Sequence, residues 1–262
     1  MGSIGFIGFG NMGKAIAEGL IKSGNYTKKD FLVAVKTEKS KRTLLNEGWK
    51  VLPPEEVVEK ADKIFLTVKP KDGPKVLEPL KNLLKEKLLI STLAGVSLKI
   101  LKTWSPYSFN VRTMPNINVS VGKGVWGITF EADFPEGLKN DVLNLLSKTG
   151  LVLEIEEKLM NSITALAGSG PAFVSEILDA FAQAGVKLGF KYEDALKIAL
   201  YTFSGTLDYI DEKSIHPIQM RDRVTSPAGT TIYGLSVLNN RGVKGAIVQT
   251  VETAKKRADE LS

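Results

Sequence analysis

The residues best placed to do chemistry lie near the C-terminus: Arg223-Val224-Thr225-Ser226-Pro227-Ala228-Gly229-Thr230-Thr231-Ile232-Tyr233-Gly234-Leu235. Small hydroxyl residues, one proline and one glycine lead straight into an apolar helical pattern. That order brings free backbone N–H groups and hydroxyls together at the positive end of a helix. Such a spot suits a carboxylate with a polar neighbour. Far upstream, Gly8-Phe9-Gly10-Asn11-Met12-Gly13 matches G-x-G-x-x-G, follows the apolar run Ile4-Gly5-Phe6-Ile7 and opens a helical pattern that ends at Gly24. There Gly8 allows a tight turn, Gly10 removes a side chain where a pyrophosphate approaches, and Gly13 lets helix and strand pack closely. Together the two segments imply a dinucleotide-binding domain and a separate domain that holds a small acid.

The end of the second expected strand discriminates between the two nicotinamide dinucleotides. An NAD site wants an acidic residue there for the ribose hydroxyls. Here the chain reads Val35-Lys36-Thr37-Glu38-Lys39. Lys36 and Thr37 can neutralise and hydrogen-bond a 2′-phosphate, and Lys39, Lys41 and Arg42 add positive potential. The reading favours NADP(H) and leaves NAD(H) open; the alternative is a solvated helix start with ordinary surface lysines. Three further loops follow expected strands: Thr67-Val68-Lys69-Pro70, Leu93-Ala94-Gly95 and Met114-Pro115-Asn116. Ligands of open α/β sheets bind beyond the carboxyl ends of the strands. The candidate cofactor residues are therefore Ile7, Gly8, Phe9, Gly10, Asn11, Met12, Gly13, Lys36, Thr37, Thr67, Val68, Lys69, Pro70, Leu93, Ala94, Gly95 and Asn116.

The elements needed to hold these residues are legible as periodicities. Short apolar runs at 3–8, 31–35, 63–68, 88–92, 109–113, 124–130 and 151–154 read as strands. The first few are nearly continuous in apolar residues, as parallel strands covered on both faces must be. Helical patterns at 11–23, 39–47, 54–60, 74–85 and 135–148 alternate with them, which argues for an α/β doubly wound sheet of Rossmann type. After residue 156 the strand signals stop. Helices are expected at 159–188, 192–210, 217–224, 230–239 and 243–261. We place a dinucleotide-binding domain at 1–156 and an all-helical substrate and dimerisation domain at 157–262. Residues 159–186 carry only two charged groups, Glu176 and Asp179. A helix that apolar must be buried on most of its surface. So small a domain buries it more fully against another copy, so a homodimer through this half is expected; the alternative is one long core helix in a monomer.

Composition narrows the classes further. The chain has 262 residues, no cysteine and one histidine, which excludes disulfides, thiolate chemistry and a multi-histidine metal cluster; no metal site is expected. His216, just before Pro217, reads as a loop or capping residue. Net charge is +6 from 35 basic and 29 acidic residues. The lysines are spread along the whole length, so nucleic acid is not an expected partner. A basic balance also suits a phosphate-rich cofactor and an acidic substrate. No apolar run reaches the ~20 residues needed to span a bilayer, and no signal peptide is visible, so the expected location is cytoplasmic.

With these residues in view, the chain resembles the pyrroline-5-carboxylate reductases nearly end to end. The resemblance is carried by Gly5-Phe6-Ile7-Gly8-Phe9-Gly10-Asn11-Met12-Gly13-Lys14-Ala15-Ile16, by Val68-Lys69-Pro70, by Ala94-Gly95-Val96 and by Arg112-Thr113-Met114-Pro115-Asn116. Its most specific parts are Ala167-Gly168-Ser169-Gly170-Pro171-Ala172-Phe173 and Val224-Thr225-Ser226-Pro227-Ala228-Gly229-Thr230-Thr231. The resemblance implies NAD(P)H-dependent reduction of Δ1-pyrroline-5-carboxylate to L-proline, a helical dimerisation domain, active sites between subunits and, in some members, larger rings of dimers. It also implies site roles. Ser226 belongs to the substrate turn, and Ala228, Gly229 and Thr230 offer backbone N–H groups to the substrate carboxylate. Thr231, the catalytic candidate, offers its hydroxyl to the ring nitrogen. Glu157 lies near the nicotinamide end, and Lys36 falls where the family often has a small residue touching the 2′-phosphate.

Two departures from the family pattern stand out. The family usually reads Ser-Pro-Gly-Gly where this chain has Ala228 third, and Thr-Pro where it has Ile117-Asn118. Alanine costs of order 1 kcal/mol if that position needs a positive φ, and nothing if it is helical. Two other readings share the architecture. β-Hydroxyacid dehydrogenases resemble one another in carrying a lysine on the central helix as acid/base, and 159–186 has no Lys, Arg or His. A non-catalytic dinucleotide-sensing homologue has only the two departures in its support.

Overall fold

The computed structural model describes residues 3–261. Eight strands form one sheet: β1 (Ile4–Ile7), β2 (Phe31–Ala34), β3 (Lys50–Val51), β4 (Lys63–Leu66), β5 (Leu88–Ser91), β6 (Phe109–Pro115), β7 (Gly124–Phe130) and β8 (Gly150–Glu154). Their spatial order is β3-β2-β1-β4-β5-β6-β7-β8. All neighbours run parallel except β6 and β7. This is the doubly wound Rossmann-type sheet expected from the alternating pattern. Ile7 pairs with both Ala34 and Leu66, and Leu66 pairs with Ser91, so β2, β1, β4 and β5 all end at one level. The loops that follow them open on the same edge of the sheet.

The apolar runs work as strands because both faces are covered. Ile4 and Phe6 of β1, Phe31 and Val33 of β2 and Phe65 of β4 enter one core with Ile16, Leu20 and Trp126. The intervening Ile7, Leu32, Ala34, Ile64 and Leu66 enter a second core with Val57, Val58, Leu77, Leu80 and Leu101. Helices α1 (Asn11–Lys22) and α6 (Glu136–Leu146) cover the first face, and α3 (Pro54–Lys60), α4 (Gly73–Leu77) and α5 (Leu98–Trp104) the second. Full burial of one large apolar side chain is worth about 1.5–3 kcal/mol. The helix α2 (Glu38–Asn46) follows β2.

Three differences from the sequence pattern have physical causes. β3 is a two-residue strand, too short to show a period. α5 was not expected; it is set by Ser97, whose side chain accepts from the Ile100 amide at 3.2 Å, and by inward Leu98 and Leu101. The expected helix at 74–85 breaks after α4 into a 3-10 turn, Glu78–Leu80, where Pro79 has no N–H to continue the α-helical ladder.

The expected helix at 159–188 is also interrupted. A short α7 (Met160–Ile163) passes into a π-helical turn, Thr164–Gly168, closed by the Ser169 amide on the Thr164 carbonyl at 2.9 Å. Helix α8 (Gly170–Lys187) then starts afresh, with Pro171 in its first turn, where a missing N–H costs no bond. The chain divides into two compact units, one running to Ser169 and taking in the chain from Lys255 onward, the other Gly170–Ala254. The first unit keeps the segment after β8 because it lies on the strands: a Cβ at Gly127 would meet Ile163 Cγ2 at 2.8 Å.

The second unit contains α8, α9 (Tyr192–Glu212), α10 (Pro217–Arg223), α11 (Thr230–Asn240) and most of α12 (Val243–Glu260). Phe181 and Phe203 meet edge to face at 4.9 Å, and Gly185 lies so close to Ala195 that a Cβ there would clash at 2.6 Å. Tyr192 and Gln183 donate to Asp179 at 2.7 and 2.6 Å, and these bonds, the tyrosine's first, hold its carboxyl below the usual range. His216 caps α10: its Nδ1 accepts from the Ile218 amide, as the capping reading expected. Among the described residues no helix is long and apolar enough to cross a membrane.

Candidate active site

The glycine-rich turn is built as its spacing required. Gly8 has φ 85°, and a Cβ there would lie 2.7 Å from Val68 Cγ1. Gly10 faces open space, with nothing within 4 Å of a Cβ position. Gly13 lies under Thr67 Oγ1, at 2.9 Å from a Cβ position. The Thr67 hydroxyl donates to the Gly8 carbonyl at 2.5 Å and its amide to Ile7 at 2.9 Å, which ties the loop after β4 to the turn. α1 begins with the Lys14 amide on the Gly10 carbonyl at 2.9 Å and has no acid in its first turn. The amides of Asn11, Met12 and Gly13 are thus first-turn donors without a helical acceptor, aimed where a pyrophosphate would lie. An open position at Gly10 over unpaired N–H groups fits a dinucleotide.

The flanking candidates divide by role. Ile7, Phe9 and Leu93 are core side chains, 2%, 6% and 2% exposed, and contribute at most backbone to the edge. Phe9 packs edge to face on Phe6 and Trp49, and Met12 packs against the same core. Val68 packs on the opposite core, and Lys69 and Pro70 open the 3-10 turn Pro70–Asp72. Gly95, with φ 73°, turns the loop between β5 and α5, and Ala94 beside it is exposed. Thr37 is the N-cap of α2; its oxygen accepts from the Ser40 amide at 3.2 Å and its hydroxyl donates to Ser40 Oγ at 2.8 Å. Lys36 is exposed and pairs with Asp72 at 3.4 Å. Lys14 hydrogen-bonds Glu47 and holds that carboxyl below its usual range.

Asn116 and Glu157 are held more tightly than the sequence suggested. Asn116 is 5% exposed; its Oδ1 accepts from the Val125 amide and its Nδ2 donates to the Ala167 carbonyl, both at 3.1 Å. It pins the end of β6 to the π-helical turn. Glu157 Oε1 accepts from the Leu98 amide at 2.7 Å and from Arg112 Nη1 at 2.8 Å. Arg112 is 6% exposed, so this carboxylate compensates a buried cation and caps α5 at once. Arg112 and Asp72 were given no role from the sequence. A lone cation in the strand Phe-Asn-Val-Arg-Thr-Met-Pro was a signal that a partner must exist; Asp72 gave none.

In the second unit, Ser226-Pro227-Ala228-Gly229 forms a tight turn in which the Gly229 amide donates to the Ser226 carbonyl at 3.1 Å. Ala228 has φ 55°, so the position does require the left-handed region. Proline second and a positive φ third is the type II pattern. Gly229 is the N-cap of α11, and a Cβ there would meet Ser226 Oγ at 2.3 Å, so that hydroxyl would have to turn away. Because the Gly229 amide is already donated inside the turn, the donors left at this spot are the amides of Ala228, Thr230 and Thr231. Among the described residues the hydroxyls of Ser226, Thr230 and Thr231 have no hydrogen-bond partner. The arrangement can grip an oxyanion and present a neutral hydroxyl beside it.

A doubly wound sheet with an open glycine cradle at its strand ends, carried by a chain with a separate helical unit, defines a Rossmann-type dinucleotide-binding protein. Residues 3–95 match the family model described as "NADP oxidoreductase coenzyme F420-dependent", and residues 157–261 match "Pyrroline-5-carboxylate reductase dimerisation". The pyrroline-5-carboxylate reductase of Aquifex aeolicus is 39% identical over 98% of this chain and 97% of that protein. The solved pyrroline-5-carboxylate reductase of Coxiella burnetii superposes with a TM-score of 0.89 at 31% identity, covering 100% of this chain and 98% of that one. The Plasmodium falciparum pyrroline carboxylate reductase with NADP bound gives 0.89 at 28% identity, covering 99% and 97%. The chain belongs to the pyrroline-5-carboxylate reductase family.

Proposed function

We infer that this protein reduces the C=N bond of Δ1-pyrroline-5-carboxylate to give L-proline, with NAD(P)H as reductant, in proline biosynthesis. Membership of the family carries that reading. Within the chain, one observation supports it above the others: the turn entering α11 offers amides and hydroxyls with no internal partner, and so suits a small anionic imine. The alcohol-oxidising and sensing alternatives have no comparable support. An imine is already electrophilic, more so when protonated, so catalysis needs positioning and polarity more than a strong base.

The residue roles follow from this reading. When bound, the reduced nicotinamide supplies the hydride that the imine carbon accepts. Gly8, Gly10 and the first-turn amides of α1 hold the pyrophosphate. Lys36 and Thr37 lie at the adenosine ribose, where Lys36 neutralises a 2′-phosphate and favours NADP(H) over NAD(H). Ala228, Thr230 and Thr231 amides, with Ser226, hold the carboxylate at the N-terminus of α11. The Thr231 hydroxyl hydrogen-bonds the ring nitrogen, which takes its proton from water as the C=N bond becomes C–N. Asn116 and Glu157 shape the crevice rather than touch the reacting atoms. In this reading residues 1–156 form the cofactor domain and 157–262 the substrate and dimerisation domain. The homodimer is the working unit, with rings of dimers as a further proposal; the compartment is the cytoplasm, and nucleic acid is no partner.

The test is direct. Purified protein with NADPH and Δ1-pyrroline-5-carboxylate should consume the nicotinamide absorbance and yield proline. Thr231→Ala should cut kcat by about 10-fold or more, the scale of one hydrogen bond to a developing charge, while Thr231→Ser keeps most of it. An unchanged kcat in Thr231→Ala would remove the assigned role.

A further inference from the structure

Lys36 and Asp72 join two loops that stand on either side of the glycine-rich turn. Lys36 follows β2, and Asp72 ends the 3-10 turn after β4. Both strands pair with β1 and end level with it. The bond from Lys36 Nζ to Asp72 Oδ1, at 3.4 Å, therefore links the loops that flank the exit of β1, where the cradle begins. The two partners differ in freedom. The Lys36 side chain is 83% exposed and the Asp72 side chain 24%. The Asp72 amide is fixed to the Lys69 carbonyl at 2.9 Å. The carboxylate is the anchored member and the ammonium the one that can change partner.

We propose that Asp72 is a specificity-determining residue: it is the internal partner that a 2′-phosphate must displace from Lys36, and it sets how strongly the chain prefers NADP(H) to NAD(H). The inference rests on the reading that places Lys36 at the 2′-phosphate. A 2′-phosphate taking over Lys36 leaves the Asp72 carboxylate beside a dianion, and that like-charge contact opposes NADP(H). With NAD(H) the Lys36 bond to Asp72 Oδ1 stays in place, and the second carboxylate oxygen can accept from a ribose hydroxyl, the task an acid performs in NAD sites. In this chain the loop after β2 carries a lysine, Lys36, and the acid comes instead from the loop after β4. The two charges thus pull in opposite directions: the cation favours the 2′-phosphate and the anion favours its absence.

The experiment is titration calorimetry on the full-length protein with two probes, 2′,5′-ADP and 5′-AMP, for the wild type, Asp72→Asn and Lys36→Met. Lys36→Met should weaken 2′,5′-ADP about ten-fold and leave 5′-AMP unchanged, as loss of a charge-assisted contact predicts. Asp72→Asn should tighten 2′,5′-ADP about three-fold, the scale of one exposed ion pair, with 5′-AMP unchanged or weaker. The ratio of kcat/KM for NADPH over NADH should rise in Asp72→Asn by the same factor. A structural role alone would move both probes together. If Lys36→Met loses 2′,5′-ADP selectively but Asp72→Asn shifts neither probe, or both equally, the Asp72 inference is wrong and the Lys36 reading stands. If Lys36→Met shows no selective loss, the 2′-phosphate reading fails, and this inference with it.

Discussion

The two units of the chain solve the burial problem in opposite ways. In the first, successive residues of β1 and β2 enter two different cores, and Phe6, Phe31, Phe65 and Trp126 are fully buried. In the second, among the described residues, Ala182, Ala195 and Ala199 alone are buried, while Tyr201, Tyr233 and Leu207 are 81%, 69% and 62% exposed. Helices α10 and α11 bury nothing. One chain completes a sheet covered on both faces; the same chain cannot complete a packing of helices that are apolar on several sides. The exposed apolar surface of the second unit is far more than a monomer normally leaves to water, and it is what a dimerisation domain requires. The first unit teaches how a cofactor cradle is held by its own core. The second teaches that the turn proposed to hold the substrate can be carried on helices whose apolar faces need another copy to cover them.

The largest expected effect breaks this contrast at the second unit. Leu200 and Leu207 lie seven residues apart on one face of α9 and are 47% and 62% exposed. The double change Leu200→Asp with Leu207→Asp should convert the dimer to monomer, seen by light scattering, and lower activity about 100-fold, as charge in the centre of an apolar interface does. A dimer with full activity would show that this face of α9 has another use. The matching change in the first unit is Trp126→Ala. Its side chain is fully buried and its Nε1 donates to Thr149 Oγ1 at 2.9 Å. The loss should be about 4 kcal/mol of unfolding free energy, read by denaturant titration, with the dimer intact below the transition. A loss under about 1 kcal/mol would mean the first unit does not stand on its own core.

The same contrast explains what the sequence could disclose. The glycine turn and the longer strands of the first unit are local patterns, readable because a strand buried on two faces is apolar without a break; α5 was missed. The helices of the second unit were readable too, from composition that left them no way to hide in one chain. What failed was non-local or too short. β3 is two residues long. The helix expected at 159–188 looked continuous because nothing in its composition announces a π-helical turn at Thr164–Gly168; that turn is held by Asn116, far away in the chain. The turn at 226–229 leading into a helix was legible from residue types, but the donation of the Gly229 amide within the turn was not. Asp72 was invisible because its partner lies on another loop.

Glu157→Gln sharpens the comparison within the first unit. Glutamine keeps an oxygen for the Leu98 amide but leaves Arg112 without a counter-charge. Removing one partner of a buried pair costs roughly 3–5 kcal/mol. The Glu157 side chain is 34% exposed, so water takes up part of the lost interaction. The expected loss is therefore smaller, about 2 kcal/mol. It should appear as a lower Tm for the sheet with the dimer unchanged, and hydrogen exchange should quicken at the start of α5. A larger loss of dimerisation than of stability would place Glu157 in service of the second unit instead.

The smallest expected effect carries the opposite sign and lies in the substrate turn. Ala228 sits at φ 55°, in a region where an L-residue costs roughly 1–2 kcal/mol relative to glycine. Ala228→Gly removes that strain but gives the unfolded chain more freedom, which returns about 0.4–1 kcal/mol. The difference leaves a net gain between about zero and about 1.6 kcal/mol, a Tm rise of up to roughly 10 °C for a unit of this size. The Gly229 bond to the Ser226 carbonyl should survive, because it needs only the backbone conformation that glycine adopts more easily. Proline affinity separates two uses of the strain. If Kd for proline stays constant as Tm rises, alanine is a cost the dimer tolerates. If Kd weakens, the Cβ of Ala228 restricts the turn to the geometry in which its amides converge, and the second unit holds its site by strain where the first holds its site by packing.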